Sequence, residues 1–191
     1  MLMEMRSQTE AMRGLAITTG NFIDKYKNFP NSSEGKESFF ISNFLTPIVK
    51  AWCTDQSIYI TSLGVQIHGG MGFIEDTGAA QYYRDARILP IYEGTNGIQA
   101  LDLLRRKLFQ ENEQTYLKLL EKFEKTGNLA LGENNKEINE IGNLLLNCVH
   151  TLKNTSLWLI RKYKENPLHA ASGATPFLNM FGWALGGWIM V

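Results

Sequence analysis

Three short strips in this 191-residue chain have the residue types to do chemistry. The most suggestive is Tyr92-Glu93-Gly94-Thr95-Asn96-Gly97. It sets a carboxylate on a strip that follows a proline and precedes a helical pattern. Ile88-Leu89-Pro90-Ile91-Tyr92 reads as extended, because the residue before proline avoids the α region. A carboxylate on such a strip, followed by a hinge glycine, can point into a cavity. Apolar neighbours such as Ile91 would desolvate it and raise its affinity for a proton, the usual route to a general base. The start of the next helix opposes that shift by favouring the anion. On local physics alone, an ordinary acid near a helix start is the simpler reading.

The second strip is Gln66-Ile67-His68-Gly69-Gly70-Met71-Gly72. Glycines after a helix permit left-handed backbone and close approach of another group. Exposed amides there could cradle a phosphate. Three glycines in four residues exceed what a helix stop requires. His68 taken singly reads as a core or capping histidine. The third strip, Arg84-Asp85-Ala86-Arg87, reads as an ion network that steadies the segment after it. Arg105-Arg106-Lys107 reads as a helix end whose cations complement the dipole.

Other chemistries find little support. Cys53 and Cys148 have no metal-ligand or disulfide pattern, and with three histidines a zinc site is not expected. Both cysteines read as small buried hydrophobes of a reducing compartment, the cytoplasm or an equivalent. No Ser/His/Asp or Cys/His pairing for nucleophilic catalysis stands out. Lysine plus arginine equals aspartate plus glutamate, 19 of each, so nothing favours nucleic acid or an anionic membrane.

The elements that must position these strips read as almost wholly helical. One helix spans Leu2 to Lys27, with Met5, Met12, Leu15, Ala16 and Ile23 recurring at helical spacing. After a loop at Asn28–Ser33, a long helix runs from about Lys36 to His68. Ile41, Leu45, Ile48, Val49 and Trp52 share one face, and Pro47 should kink it. A short helix is expected over Thr77–Arg84, another from a Thr95 cap to about Gln110, and a charged one over Glu113–Lys125. Gly127–Asn135 reads as a linker. Ile141, Leu145, Cys148, Leu152 and Leu159 then form a stripe that Asn166-Pro167 ends. Ala170 to Val191 carries no charged residue and is long enough to cross a bilayer. Thr175-Pro176 as cap and first helical position, with Gly182 and Gly186 allowing close helix approach, reads instead as a buried helix, and no membrane span is expected.

Together the strips resemble the C-terminal helical domain of the acyl-CoA dehydrogenases. The resemblance rests on Val65–Gly72, Tyr83-Arg84-Asp85-Ala86-Arg87-Ile88 and Ile91–Gln99, in that order and spacing. It covers roughly Leu2 to Leu108, and the remainder looks like the C-terminal extension of the larger subgroup. The fold this implies is all-α: an antiparallel helical bundle over residues 1–110, then a second helical segment over 111–191. In that family a glutamate in the Tyr-Glu-Gly-Thr strip abstracts the proton α to the thioester carbonyl of an acyl-CoA. The β-hydrogen leaves as hydride to the flavin of FAD, giving a trans-2-enoyl-CoA, and electrons pass on to an electron-transferring flavoprotein. By position, Glu93 would be the base and Gly94 would lie against substrate. Gln66, His68, Gly69 and Gly70 would hold the adenosine diphosphate part of FAD, typically from the neighbouring subunit of a homodimer or higher oligomer. Thr95, Asn96 and Gly97 would contact the flavin.

Two departures qualify the match. Many relatives carry glutamine where Gly97 stands, so contact there would be through backbone. The N-terminal helical domain and middle β-domain of the family are not in this sequence. The chain is therefore expected to be a piece of a longer enzyme, binding FAD weakly and turning over no substrate alone. The alternative is a non-catalytic helical assembly module, which would have no need of Glu93.

Overall fold

The computed structural model describes residues 1–111 and 113–191. Among them there is helix and turn but no strand. Helix α1 (Leu2–Asn28) and helix α2 (Ser33–Ile67) are joined by a four-residue loop and lie antiparallel. Lys25 pairs with Glu34 near the loop (2.7 Å), and the Tyr59 hydroxyl donates to Glu4 (2.7 Å) at the far end. Helix α2 begins three residues earlier than expected because Ser32 caps it, its hydroxyl accepting from the Gly35 amide at 2.9 Å. Pro47 is buried inside the helix, which persists on both sides of it.

After α2 come a single turn, α3 (Gly70–Phe73), a 3-10 turn (Glu75–Thr77) and α4 (Ala79–Ala86). The segment Ile88–Tyr92 is not extended. The Ile91 and Tyr92 amides both donate to the Ile88 carbonyl (3.0 and 3.2 Å), and these turn bonds outweigh the local preference of the residue before Pro90. Helix α5 (Asn96–Asp102) continues into a wider, π-type stretch, Leu103–Glu111. Arg105, Arg106 and Lys107 thus lie within a helical run rather than at its end, and Lys107 is buried.

Helix α6 (Glu113–Leu131) runs through the expected linker, leaving only Gly132–Asn135 outside helix. Gly127 serves a helix crossing. A Cβ there would meet Leu146 at 2.9 Å, and one at Gly142 would lie 2.8 Å from the Gly127 carbonyl. Helix α7 (Lys136–Glu165) buries Leu145, Val149, Leu152, Ser156 and Leu159, whereas Ile141 and Cys148 face outward. Leu145, Leu152 and Leu159 are thus buried as expected, and Gly142 and Val149 take the places of Ile141 and Cys148 on the face that carries the crossing.

Asn166 caps α8 (Pro167–Ser172), with proline in its first turn. Helix α9 (Ala174–Met190) starts after Gly173, so Thr175 lies inside the helix and is not its cap. Among the described residues no helix is long and apolar enough to cross a membrane.

Helix α9 packs on α1 and α2 through small residues. A Cβ on Gly182 would overlap the Trp52 ring, and one on Gly186 would come within 2.8 Å of it. Trp52 is 1% exposed. Phe181 meets Phe44 edge-on (5.2 Å), and Trp188 stacks on Phe123 of α6 (4.7 Å). One core thus joins residues from α1 and α2 with residues from α6, α7 and α9. The expected junction at 110/111 adjoins Asn112, which lies outside the described residues.

Candidate functional site

The Glu93 strip lies against the middle of α2. Glu93 has φ 54° and is the one non-glycine among the described residues with positive φ; Gly94 follows at 84°. For an L-residue the left-handed region costs about 1–2 kcal/mol, so surrounding contacts must enforce it. Those contacts come from both sides. The Asn96 amide donates to the Pro90 carbonyl (3.1 Å), closing the strip into a loop. Gln99 Nε2 donates to the Glu93 carbonyl (3.3 Å). From α2, Lys50 Nζ donates to the Gly94 carbonyl (2.8 Å) and to Asn96 Oδ1 (2.9 Å). Asn96 Nδ2 faces Asp55 Oδ1 (2.7 Å), Thr54 Oγ1 (2.9 Å) and the Ala51 carbonyl (3.0 Å).

The Asn96 side chain is therefore taken up behind the strip. The Thr95 hydroxyl is free of cap bonding, and Thr95 and Gly97 are exposed. The Glu93 side chain is exposed, as are Ile91 (48%) and Tyr92 (47%), so this chain by itself does not supply the desolvation expected from Ile91.

Lys50, Thr54 and Asp55 escaped the sequence reading. A signal existed: between Ser38 and Ile74 the only Asp, Glu, Lys or Arg residues are Lys50 and Asp55. Two isolated charges on an otherwise neutral helix point to a polar partner across the interface.

The glycine strip sits at the end of α2. Gly69 takes φ 60° and ψ −144°, a region that essentially only glycine visits. A Cβ on Gly69 or Gly70 would meet nothing within 4 Å, whereas one on Gly72 would overlap the Val65 carbonyl. Gly72 is thus needed for folding the chain back, and Gly70 has no such need within this chain. Gln66, His68, Gly69 and Gly70 are all exposed. His68 Nδ1 lies 2.8 Å from the Gly64 carbonyl, which can only accept, so the neutral ring carries its proton there and leaves Nε2 as an acceptor. Gln66 lies twelve residues beyond Thr54 on the same helix, about 18 Å along the axis. The two strips are thus separated along one helix.

Arg84 pairs with Glu75 (2.6 and 3.2 Å) rather than with Asp85, and hydrogen bonding, then charge, holds the Glu75 carboxyl below the usual range. Burial pushes the Cys53 thiol up to about 12, which rules it out as a ready nucleophile.

A helical bundle that braces a strained acid strip against one long helix and carries a bare glycine strip at that helix's end has known counterparts. The family profile "Acyl-CoA dehydrogenase, C-terminal domain" matches residues 1–108. The chain belongs to the acyl-CoA dehydrogenase family. It is 42% identical over 189 residues to a 3-methylmercaptopropionyl-CoA dehydrogenase of Ruegeria pomeroyi, a match covering 98% of this chain and 32% of that protein. It is 32% identical over 123 residues to a butyryl-CoA dehydrogenase of Syntrophomonas wolfei, covering 63% of this chain and 20% of that one. Its fold matches ACDH-11 of Caenorhabditis elegans, solved in complex with C11-CoA, with TM-score 0.81 and 20% identity, over 100% of this chain and 31% of that one. The chain thus spans about a third or less of the length of these proteins.

Proposed function

We propose that the chain supplies the proton-abstracting part of an FAD-dependent acyl-CoA dehydrogenase, with Glu93 as the base. The observation that carries this reading is the left-handed Glu93, held from two sides while its carboxylate is left uncommitted. A structural module gains nothing from strain at an exposed acid. Glu93 accepts the proton from the carbon α to the thioester carbonyl, and Gly94, lacking a side chain, lets the acyl group lie close to the strip. When bound, FAD supplies the acceptor for the β-hydrogen and its electron pair, and the product is a trans-2-enoyl-CoA.

The residues present fit that cofactor. Gly69 and Gly70 put no side chain in the way of a close approach, Gln66 and His68 offer exposed polar atoms for the adenosine diphosphate part, and Thr95 and Gly97 are open at the flavin end. Asn96, its amide and side chain both engaged within the chain, would serve there by holding Thr95 and Gly97 in place. Ile88, Ile91, Tyr92 and Ile98, exposed about the base, form the kind of apolar rim that another protein surface covers. The rest of the family's length and a second subunit of a homodimer or higher homo-oligomer are the occupants proposed. Covering by them would desolvate Glu93. Electrons would leave to an electron-transferring flavoprotein in a reducing compartment.

The test joins this chain to the amino-terminal and middle parts found in its relatives and assays acyl-CoA oxidation by dye reduction. 3-Methylmercaptopropionyl-CoA and butyryl-CoA are the first substrates to try. Glu93→Gln should lower kcat by at least about 100-fold, the lower end of general-base effects. Undiminished turnover in that variant sinks the assignment. The 191-residue chain alone should purify without flavin colour and without turnover.

A further inference from the structure

Resting on Glu93 as the base, we propose that Lys50 is a positioning residue of the reaction: its ammonium grips the strip from behind and keeps Glu93 left-handed. The contact joins residues 44 positions apart and exists only in the folded chain. Lys50 makes no ion pair among the described residues. Its positive charge goes instead to two neutral oxygens, the Gly94 carbonyl (2.8 Å) and Asn96 Oδ1 (2.9 Å). Charge-assisted hydrogen bonds of this length are roughly twice as strong as neutral ones.

The partners of Asn96 make the grip directional. A cation sits at the oxygen of its amide and a carboxylate, Asp55, at its nitrogen (2.7 Å), so the amide has one favourable orientation. Thr54 fills the remaining space, its hydroxyl donating to the Lys50 carbonyl (2.7 Å) and accepting from Asn96 (2.9 Å). The one bond to the Glu93 carbonyl itself, from Gln99, is long at 3.3 Å. Without Lys50 the Gly94 carbonyl is free to rotate, and the Glu93–Gly94 peptide can relax out of the strained pair of dihedrals.

Two measurements test this. In the 191-residue chain, NMR hydrogen exchange follows the Asn96 amide, whose acceptor is the Pro90 carbonyl, with the Trp52 amide of α2 as the folding control. Lys50→Met should speed exchange at Asn96 about ten-fold and leave Trp52 unchanged, and Lys50→Arg should speed it less. In the chain joined to the rest of the family's length, Lys50→Met should lower kcat by up to about 100-fold, the cost of a misplaced group, with KM altered less than about three-fold. Lys50→Arg should recover much of kcat.

Unchanged Asn96 exchange, or unchanged kcat, in Lys50→Met overturns the proposal. If Lys50→Met loosens Trp52 as well, Lys50→Gln decides, because it keeps a polar side chain at the interface and removes only the ammonium: faster exchange at Asn96 alone supports the grip, and unchanged exchange overturns it. Activity surviving in Glu93→Gln would refute the base while leaving the exchange result standing, so the two failures can be told apart.

Discussion

The acid strip lies against the middle of α2 and the glycine strip continues from its end, and they are built on opposite plans. Behind Glu93, the lysine, threonine and aspartate of α2 converge on Asn96, and the backbone is forced into a conformation its residue type resists. At Gly69 and Gly70 the space a side chain would fill is empty, and the residue type permits almost any conformation. A group that must aim one carboxylate needs bracing. A surface that lets another group come close to its backbone needs bareness. The contrast explains why sequence chemistry pointed to both strips but could weigh neither.

Substitutions can break that comparison in a graded order. Gly72→Ala should have the largest effect on stability, because the added Cβ overlaps the Val65 backbone, which cannot swing aside. Overpacking of this kind costs about 1–3 kcal/mol, read as a lowered midpoint in urea at unchanged slope. Gly94→Ala should cost about 1–2 kcal/mol from its φ of 84°, since the nearest atom, Gln99 Nε2 at 3.1 Å, belongs to a side chain that can yield. Gly70→Ala should leave stability within about 0.5 kcal/mol, as expected for open surface. In the assembled enzyme the same change should weaken FAD retention on dialysis; unaltered retention would remove Gly70 from the cofactor surface.

The smallest effect belongs to Glu75→Gln, since both partners of the Glu75–Arg84 pair are more than half exposed. Its sign is definite. The folded carboxyl titrates below its unfolded value, so the pair stabilises above about pH 4.3 and loses that contribution as pH falls further. Thermal melts of parent and variant should differ slightly at pH 7 and converge in acid.

Much of the helical architecture was legible because it follows from local rules. The face of Ile41, Leu45, Ile48 and Trp52, the break at Asn166-Pro167 and the close approach at Gly182 and Gly186 all need only periodicity and residue size. The misreadings share a cause. Gly127 looks like a linker residue until Gly142 and Leu146 of the facing helix are in place. Ile88–Tyr92 looks extended until its carbonyls find turn partners. Cys148 fits an apolar stripe whose true centre is set by the crossing at Gly142. Lys50 carried no local sign of its role because Gly94 and Asn96 are more than forty residues away. The candidate residues were visible as types; the device that holds them was tertiary.

Helix α2 also sets a phase. Thr54 and Gln66 are fixed to one rigid screw, so the angular relation between the two strips is as determined as the distance between them. A single residue inserted between these positions would advance the glycine strip by only about 1.5 Å but swing it by about 100° about the helix axis. An extended ligand gripping both points would then find them on different sides of the rod. Loops elsewhere in the chain can lengthen or shorten, but this stretch of helix can change its residues only by substitution, or by whole turns.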